Sequence, residues 1–170
     1  MIIFETGNLL VRPFTVKDAD SFFLINSNEQ VMRYIRPVKS RQNSNVFLTE
    51  NILHYEAYPG TGRWAVVEKS SNSIIGMFSL LFLEQGTAKL HIGYALLPGY
   101  WNKGYATVLL KAGTARFSED HPNEILYAIT RKENIASEKV LLKCGFELAG
   151  EYKENENLWK MKPLHAGRDF

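Results

Sequence analysis

Apolar and polar residues repeat at two periods along this chain, and the change from one to the other marks its elements. Residues 64–68 and 74–83 alternate as strands, and the polar run Ser70 to Ser73 between them predicts a hairpin. A turn at Gln85-Gly86 leads into a third strand over 89–97, so three antiparallel strands follow one another. The period then lengthens: Ala106, Leu109, Leu110, Gly113 and Phe117 fall at helical spacing. Residues 124–130 return to a strand pattern, and the helical crossover before them favours parallel pairing with the strand it left. The expected fold is therefore α/β (α+β), a mixed and mostly antiparallel sheet flanked by helices.

The ends of the chain fill in around this centre. A first strand over 9–12 is stopped by Pro13, and Thr15-x-x-Asp18 offers a capping box for a helix carrying Phe22, Phe23 and Ile25. Residues 26–28 break that helix; shorter ones are expected over 29–34 and 46–55. Residues 147–151 and 158–161 read as edge strands, Phe78, Leu80 and Phe82 as a core stripe, and 163–170 carry no clear pattern.

Composition narrows the class. With 170 residues, 45% of them hydrophobic, one domain over 1–170 is expected. The net charge of +2 comes from scattered basic residues, which leaves no footprint for nucleic acid or an anionic membrane. No apolar run approaches the ~20 residues of a membrane span, and one cysteine excludes an intrachain disulfide. A cytoplasmic protein is the expectation. Four histidines and Cys144 lie far apart without ligand spacing, so no metal is expected.

Candidate chemistry begins where the third strand meets the long helix. The first N–H groups of a helix lack intrahelical partners and sit at the positive end of its dipole, so residues 102–107 form a candidate anion cradle. Gly104 and Ala106 let a phosphate come close. Gly99 and Gly104 have P-loop spacing, but Tyr105 and Ala106 stand where that loop needs Lys and Ser/Thr. A dinucleotide fingerprint fails as well, because only one of its glycines is matched. A metal-free cradle for a phosphate or pyrophosphate remains.

The run Gly93-Tyr94-x-Leu96-x-Pro98-x-Tyr100-Trp101-x-Lys103-Gly104-Tyr105-Ala106-Thr107 resembles the acetyl-coenzyme A signature of the GNAT superfamily of N-acetyltransferases, in its RimJ/RimL-like branch. The resemblance implies a GNAT-like fold in which the backbone of Asn102, Lys103, Gly104, Tyr105, Ala106 and Thr107 holds the coenzyme pyrophosphate. It also implies central strands that splay, so that one can pair with the pantetheine arm. The superfamily often begins the loop with Gln or Arg, whereas Trp, here Trp101, is usual in this branch. Glu5-Thr6-x-x-Leu9-x-x-Arg12-Pro13 and Val31-Met32-x-Tyr34 also resemble the branch, where they wall the acceptor site.

A second motif runs from Glu133 to Phe146. Asn134 reads as an N-cap, Ala136, Val140 and Leu141 as a buried stripe, and Gly145 as a C-cap. It also resembles the second GNAT motif, which implies that the Asn134 side chain contacts the coenzyme. Many members carry a general-acid Tyr four residues before this Gly. Here that residue is Leu141, which leaves Ser137 as a weaker substitute acid. Cys144, at a helix C-terminus, reads as a packing residue.

Amine attack on a thioester needs a neutral amine, a donor to the carbonyl oxygen and an exit for the thiolate. A backbone N–H of Ala95, Leu96 or Leu97 would serve the oxygen. His91, two residues before Gly93, is a candidate general base where related sequences often carry Glu; the other reading is a histidine half buried on a strand. Glu84 is a second candidate base acting through water, or else a solvated turn residue. His54 reads as an exposed helix residue, and His121 and His165 as loop and tail. Two functions stay open: an acetyl-CoA-dependent N-acetyltransferase acting by direct transfer, or a coenzyme A-binding sensor without catalysis. For the first, a protein N-terminal amine is the preferred acceptor and a small amine the alternative. The protein is expected to be a monomer or homodimer.

Overall fold

A computed structural model describes residues 1–163. Its centre is one eight-stranded sheet in the order β1-β2-β3-β4-β5-β6-β8-β7. The strands are β1 (Phe4–Glu5), β2 (Leu9–Pro13), β3 (Gly62–Glu68), β4 (Ser73–Phe82), β5 (Leu90–Leu96), β6 (Leu126–Arg131), β7 (Glu147–Glu151) and β8 (Glu156–Met161). Every neighbouring pair is antiparallel except β5 and β6, which are joined by the helix α4 (Tyr105–Asp120).

Helices cover both faces. On one, α4 and α5 (Ile135–Lys143) bury Leu110, Phe117 and Leu141 against Val66, Phe78 and Ile92. On the other, α1 (Ala19–Asn26), α2 (Glu29–Met32) and α3 (Arg41–Ala57) bury Phe22, Met32 and Leu48 against Ala65, Met77 and Ala95. Gly113 lets α4 lie close, since a Cβ there would strike the Phe78 ring. The capping box forms as expected, Thr15 and Asp18 closing a short 3-10 turn that runs into α1. Asp18 is also held by Arg12 at 2.8 Å.

Four expectations are corrected. α3 begins at Arg41 rather than near 46, because the Ser40 hydroxyl accepts from the Asn43 N–H and starts the helix early. β8 is not an edge strand: it lies between β6 and β7, with Trp159 buried and its Nε1 donating to Thr130 Oγ1 at 2.9 Å. β7 takes the edge instead, mostly exposed and bulged between Leu148 and Gly150, features that discourage further pairing. Phe82 closes β4 in solvent, and Ala136 is exposed on α5, where only Leu141 is fully buried.

Candidate active site

β5 pairs with β4 along its whole length, from Leu90 to Leu96, whereas β5 and β6 pair only through Leu90, His91 and Ile92. Beyond Ile92 both strands continue and part. Strand alternation decides which groups face the gap. The Leu97 N–H is donated to Ile75 O at 2.8 Å, and the Ala95 carbonyl sits against Gly76, so both residues turn their polar groups to β4. Tyr94 and Leu96 turn theirs the other way. Of the three candidate oxyanion donors, Leu96 alone directs its amide at the gap. Its carbonyl accepts the Trp101 Nε1 proton at 2.7 Å, which ties the loop to the end of the strand.

The loop that follows is built by backbone conformation. Asn102 and Gly104 both adopt positive φ, 57° and 78°. Gly104 is the N-cap of α4, with no side chain supplying a cap, and the first intrahelical bond runs from the Val108 N–H to Gly104 O at 3.1 Å. The amides of Tyr105, Ala106 and Thr107 thus begin a 16-residue helix without partners. A Cβ on Gly104 would meet nothing within 4 Å, so the space before these amides is open. That donor set fits a pyrophosphate. The Tyr105 side chain points elsewhere: it stacks on Tyr100 and its hydroxyl donates to Glu68 Oε1 at 2.6 Å, a bond that holds the Glu68 carboxyl below its usual range.

Residues 8–147 match the family described as acetyltransferase (GNAT) domain. The chain belongs to that family. An N-acetyltransferase of Bacillus subtilis (strain 168), YoaA, is 29% identical over 155 residues, covering 89% of this chain and 86% of that protein. The acetyltransferase (GNAT family) from Bacillus anthracis has the same fold, with a TM-score of 0.82 at 22% identity over 96% of this chain and 99% of that one. RimL, a ribosomal alpha-N-protein acetyltransferase solved in complex with coenzyme A, superposes with a TM-score of 0.80 at 18% identity, covering 95% and 98%.

In this acetyltransferase the second motif lies beside the gap. Asn134 Oδ1 accepts the Ser137 N–H at 3.2 Å, as an N-cap should. Ser137 Oγ in turn accepts from the Tyr94 hydroxyl at 3.5 Å. Burial pushes the Tyr94 phenol up, which keeps it protonated and able to donate. Sequence reasoning passed over Tyr94 because it sits inside a strand; its place two residues after the last β5–β6 pair is the signal that finds it. Cys144 donates weakly to Thr107 O at 3.8 Å, and burial raises its thiol, as befits packing.

On the opposite face of the sheet His91 shares a row with Leu81 and Tyr127. Burial, and then the charge of Arg63, push the His91 imidazole down to about 4. It is unprotonated at neutral pH and holds a proton weakly. Glu84 lies exposed in the turn after β4, and the structure brings it to no other candidate. His54 is half buried rather than exposed, its Nε2 2.9 Å from Thr61 Oγ1. His121 faces Glu124, and His165 lies outside the described residues. Among the described residues no group of His, Cys, Asp and Glu could hold a metal, and no helix is long and apolar enough to cross a membrane.

Proposed function

We propose that this acetyltransferase passes the acetyl group of acetyl-CoA directly to a primary amine, and that the α-amine of a protein N-terminus is its preferred acceptor. The observation that carries the reading is the parting of β5 from β6 beyond Ile92, opposite the uncapped N-terminus of α4. The cradle of 102–107 suits the pyrophosphate and the gap suits the pantetheine arm, with the Leu96 amide as donor to the carbonyl oxygen. The single cysteine and this co-substrate agree with a cytoplasmic site of action.

The weak basicity of His91 favours an α-amine. At pH 7.5 an α-amine is neutral for roughly 25–40% of the time and a lysine amine for about 0.1%, from their ordinary pKa values. The acceptor must bring its own neutral form to a site whose histidine binds protons so poorly. His91 then orients the amine by accepting a hydrogen bond from it. RimL, named as an alpha-N-protein acetyltransferase, agrees with such an acceptor. Coenzyme thiol release should be at least ~100-fold faster in kcat/KM on peptides with a free N-terminus and no lysine than on N-blocked peptides with one lysine. Equal rates on the two would overturn the preference.

The leaving thiolate takes its proton from Ser137, backed by Tyr94, and the proton that the amine sheds on becoming an amide restores the pair by way of solvent, so none is gained or lost overall. Ser137→Ala should lower kcat by roughly 10–100-fold, within the range of general acid catalysis, while acetyl-CoA binds unchanged. Tyr94→Phe removes only the second member and should cost less. If both variants kept wild-type kcat, the proton route would lie elsewhere.

His91→Ala should lower kcat without altering the shape of the pH profile. An imidazole held near 4 is unprotonated across the working range, so the rise of kcat/KM belongs to the acceptor amine, near ~8. A limb near 6.5 present in wild type and absent from His91→Ala would restore His91 as the titrating base.

A further inference from the structure

The face of the sheet that carries His91 holds two arginines, Arg63 on β3 and Arg36 in the loop after α2, for which the fold supplies no counter-charge. Arg36 and Arg63 bring their guanidinium carbons to 4.9 and 5.0 Å from the centre of the same Phe47 ring, and Lys39 Nζ reaches that ring at 4.7 Å. Among the described residues no carboxylate pairs with either arginine, while Asp18 and Asp20 of the same layer pair with Arg12 and Arg41. Arg36 is half buried, and its Nε is shut from solvent without a hydrogen-bond partner. Two like charges held this way in one layer destabilise a fold unless something offsets them.

The protein nevertheless holds them in place. Asn26, fully buried, donates to Phe22 O and accepts from Arg36 Nη2 at 2.8 Å, and Arg36 Nη2 also lies 3.8 Å from Met77 Sδ. Arg63 is clamped through its backbone: its N–H is donated to Asn51 Oδ1 at 3.2 Å, and its carbonyl accepts from Asn51 Nδ2 at 2.9 Å and from the Tyr55 hydroxyl. Asn51 thereby stands in for a neighbouring strand just where β2 has ended at Pro13.

Register says what they overlook. Arg63 is opposite Ser79, and Ser79 opposite Gly93, with the pair Met77 and Ala95 one row away. Met77 and Ala95 are buried under the helices, but Ser79 and Gly93 are half-buried and carry a short side chain or none, so they leave a floor that runs from Arg63 to the residue at which β5 leaves β6. Arg63 lies two strands from Gly93, about 10 Å at the usual spacing, and an arginine side chain covers much of that span. The Arg63 charge is felt by both Arg36 and His91, so it lies near each of them.

We propose that the acceptor carries an anionic group, a carboxylate or phosphate, close to its amine, and that Arg36 and Arg63 bind that group over the floor of Ser79 and Gly93. For an N-terminal acceptor this means an acidic or phosphorylated side chain within its first two or three residues. The proposal rests on the acetyltransferase reading and narrows its substrate class. Arginine suits either anion through its planar, forked donors. Burial and the neighbouring Arg63 charge bring Arg36 down to about 10, in keeping with a cation awaiting a partner.

The test compares acceptors and also measures binding without turnover. Thiol release is followed with peptides beginning Ser-Asp-Glu, Ser-phosphoserine-Gln and Ser-Asn-Gln. The acidic or the phosphorylated peptide should exceed the neutral one at least ~10-fold in kcat/KM, with the advantage falling as salt rises, and the better of the two names the anion. Arg63→Gln and Arg36→Met should each collapse that ratio while acetyl-CoA still binds. Separately, succinate and inorganic phosphate are titrated calorimetrically into wild type and Arg63→Gln; at least one should bind wild type and lose that binding in the variant. Equal rates on all three peptides with ratios unmoved by both variants would overturn the proposal and leave the acetyltransferase reading intact. Anion binding lost in Arg63→Gln, without acetylation of any amine, would keep the anion site and remove the proposed reaction. An Arg36→Met protein with an unchanged ratio would make Arg36 a structural residue, held for its bond to Asn26, and also overturn the proposal.

Discussion

The Gly104→Val protein should bind acetyl-CoA at least ~100-fold more weakly than wild type, a loss of roughly 2.7 kcal/mol, and remain folded. Gly104 sits at φ +78° with nothing within 4 Å of the position its Cβ would take. Gly104 is the cap residue next to the unpartnered amides of 105–107, so a branched side chain there would crowd the approach of the pyrophosphate. Valine is also strained in the left-handed region, by about 1–2 kcal/mol, which tilts the loop away from its binding shape. Gly104→Asn separates the two effects, because asparagine tolerates that region and the chain already uses it at Asn102, φ +57°. Asn should therefore cost little stability and still lose most of the affinity. Calorimetric titration with acetyl-CoA and with coenzyme A checks both variants. Wild-type affinity in Gly104→Val would remove the cradle from the site.

Much of this was legible because it is local. The hairpin at 70–73, the crossover helix and the parallel strand after it follow from periodicity and turn residues alone. Asn134 and the Thr15–Asp18 box cap their helices as their spacing implies. What stayed hidden depends on residues far apart in the chain. Nothing near Glu156 says that β8 will slip between β6 and β7; the burial of Trp159 against Thr130 decides it. Alternation within residues 95–97 fixes which amide faces the gap only once the neighbour of each strand is known. Arg36 and Arg63 are 27 positions apart and share no motif. They meet because α3 returns over the sheet and brings the Phe47 ring within reach of both. The low basicity of His91 has the same origin, since its burial and the Arg63 charge are products of packing.

The Gly76→Ala protein should lose about 3 kcal/mol of stability, at the upper end of the cost of overpacking. For a chain of this length that lowers Tm by roughly 6–12 °C. A Cβ at this position would press on the Ala95 carbonyl and come within 2.8 Å of Leu96 Cδ2 and 3.0 Å of Leu96 Cα. Two of those atoms are backbone, so no rotamer change relieves the contact and β4 must move away from β5. β4 is itself bulged beside this position, with Val66 opposite Gly76, Val67 opposite Ile74 and Ile75 left over, so the ladder to β3 is already irregular and offers little support. The movement reaches the reaction, because Leu96 carries the amide that faces the gap and the carbonyl that holds Trp101. The kcat of Gly76→Ala should fall at least ~10-fold, or about 1.4 kcal/mol in transition-state stabilisation. Binding of free coenzyme A should suffer less, since the 105–107 amides belong to α4 rather than to the displaced strand. Thermal melts and steady-state kinetics, with Gly99→Ala as the control at a glycine that has open space and no positive φ, measure both effects. A Gly76→Ala protein with wild-type Tm and kcat would mean that the β4–β5 register yields freely, and that Leu96 is not held in place by it.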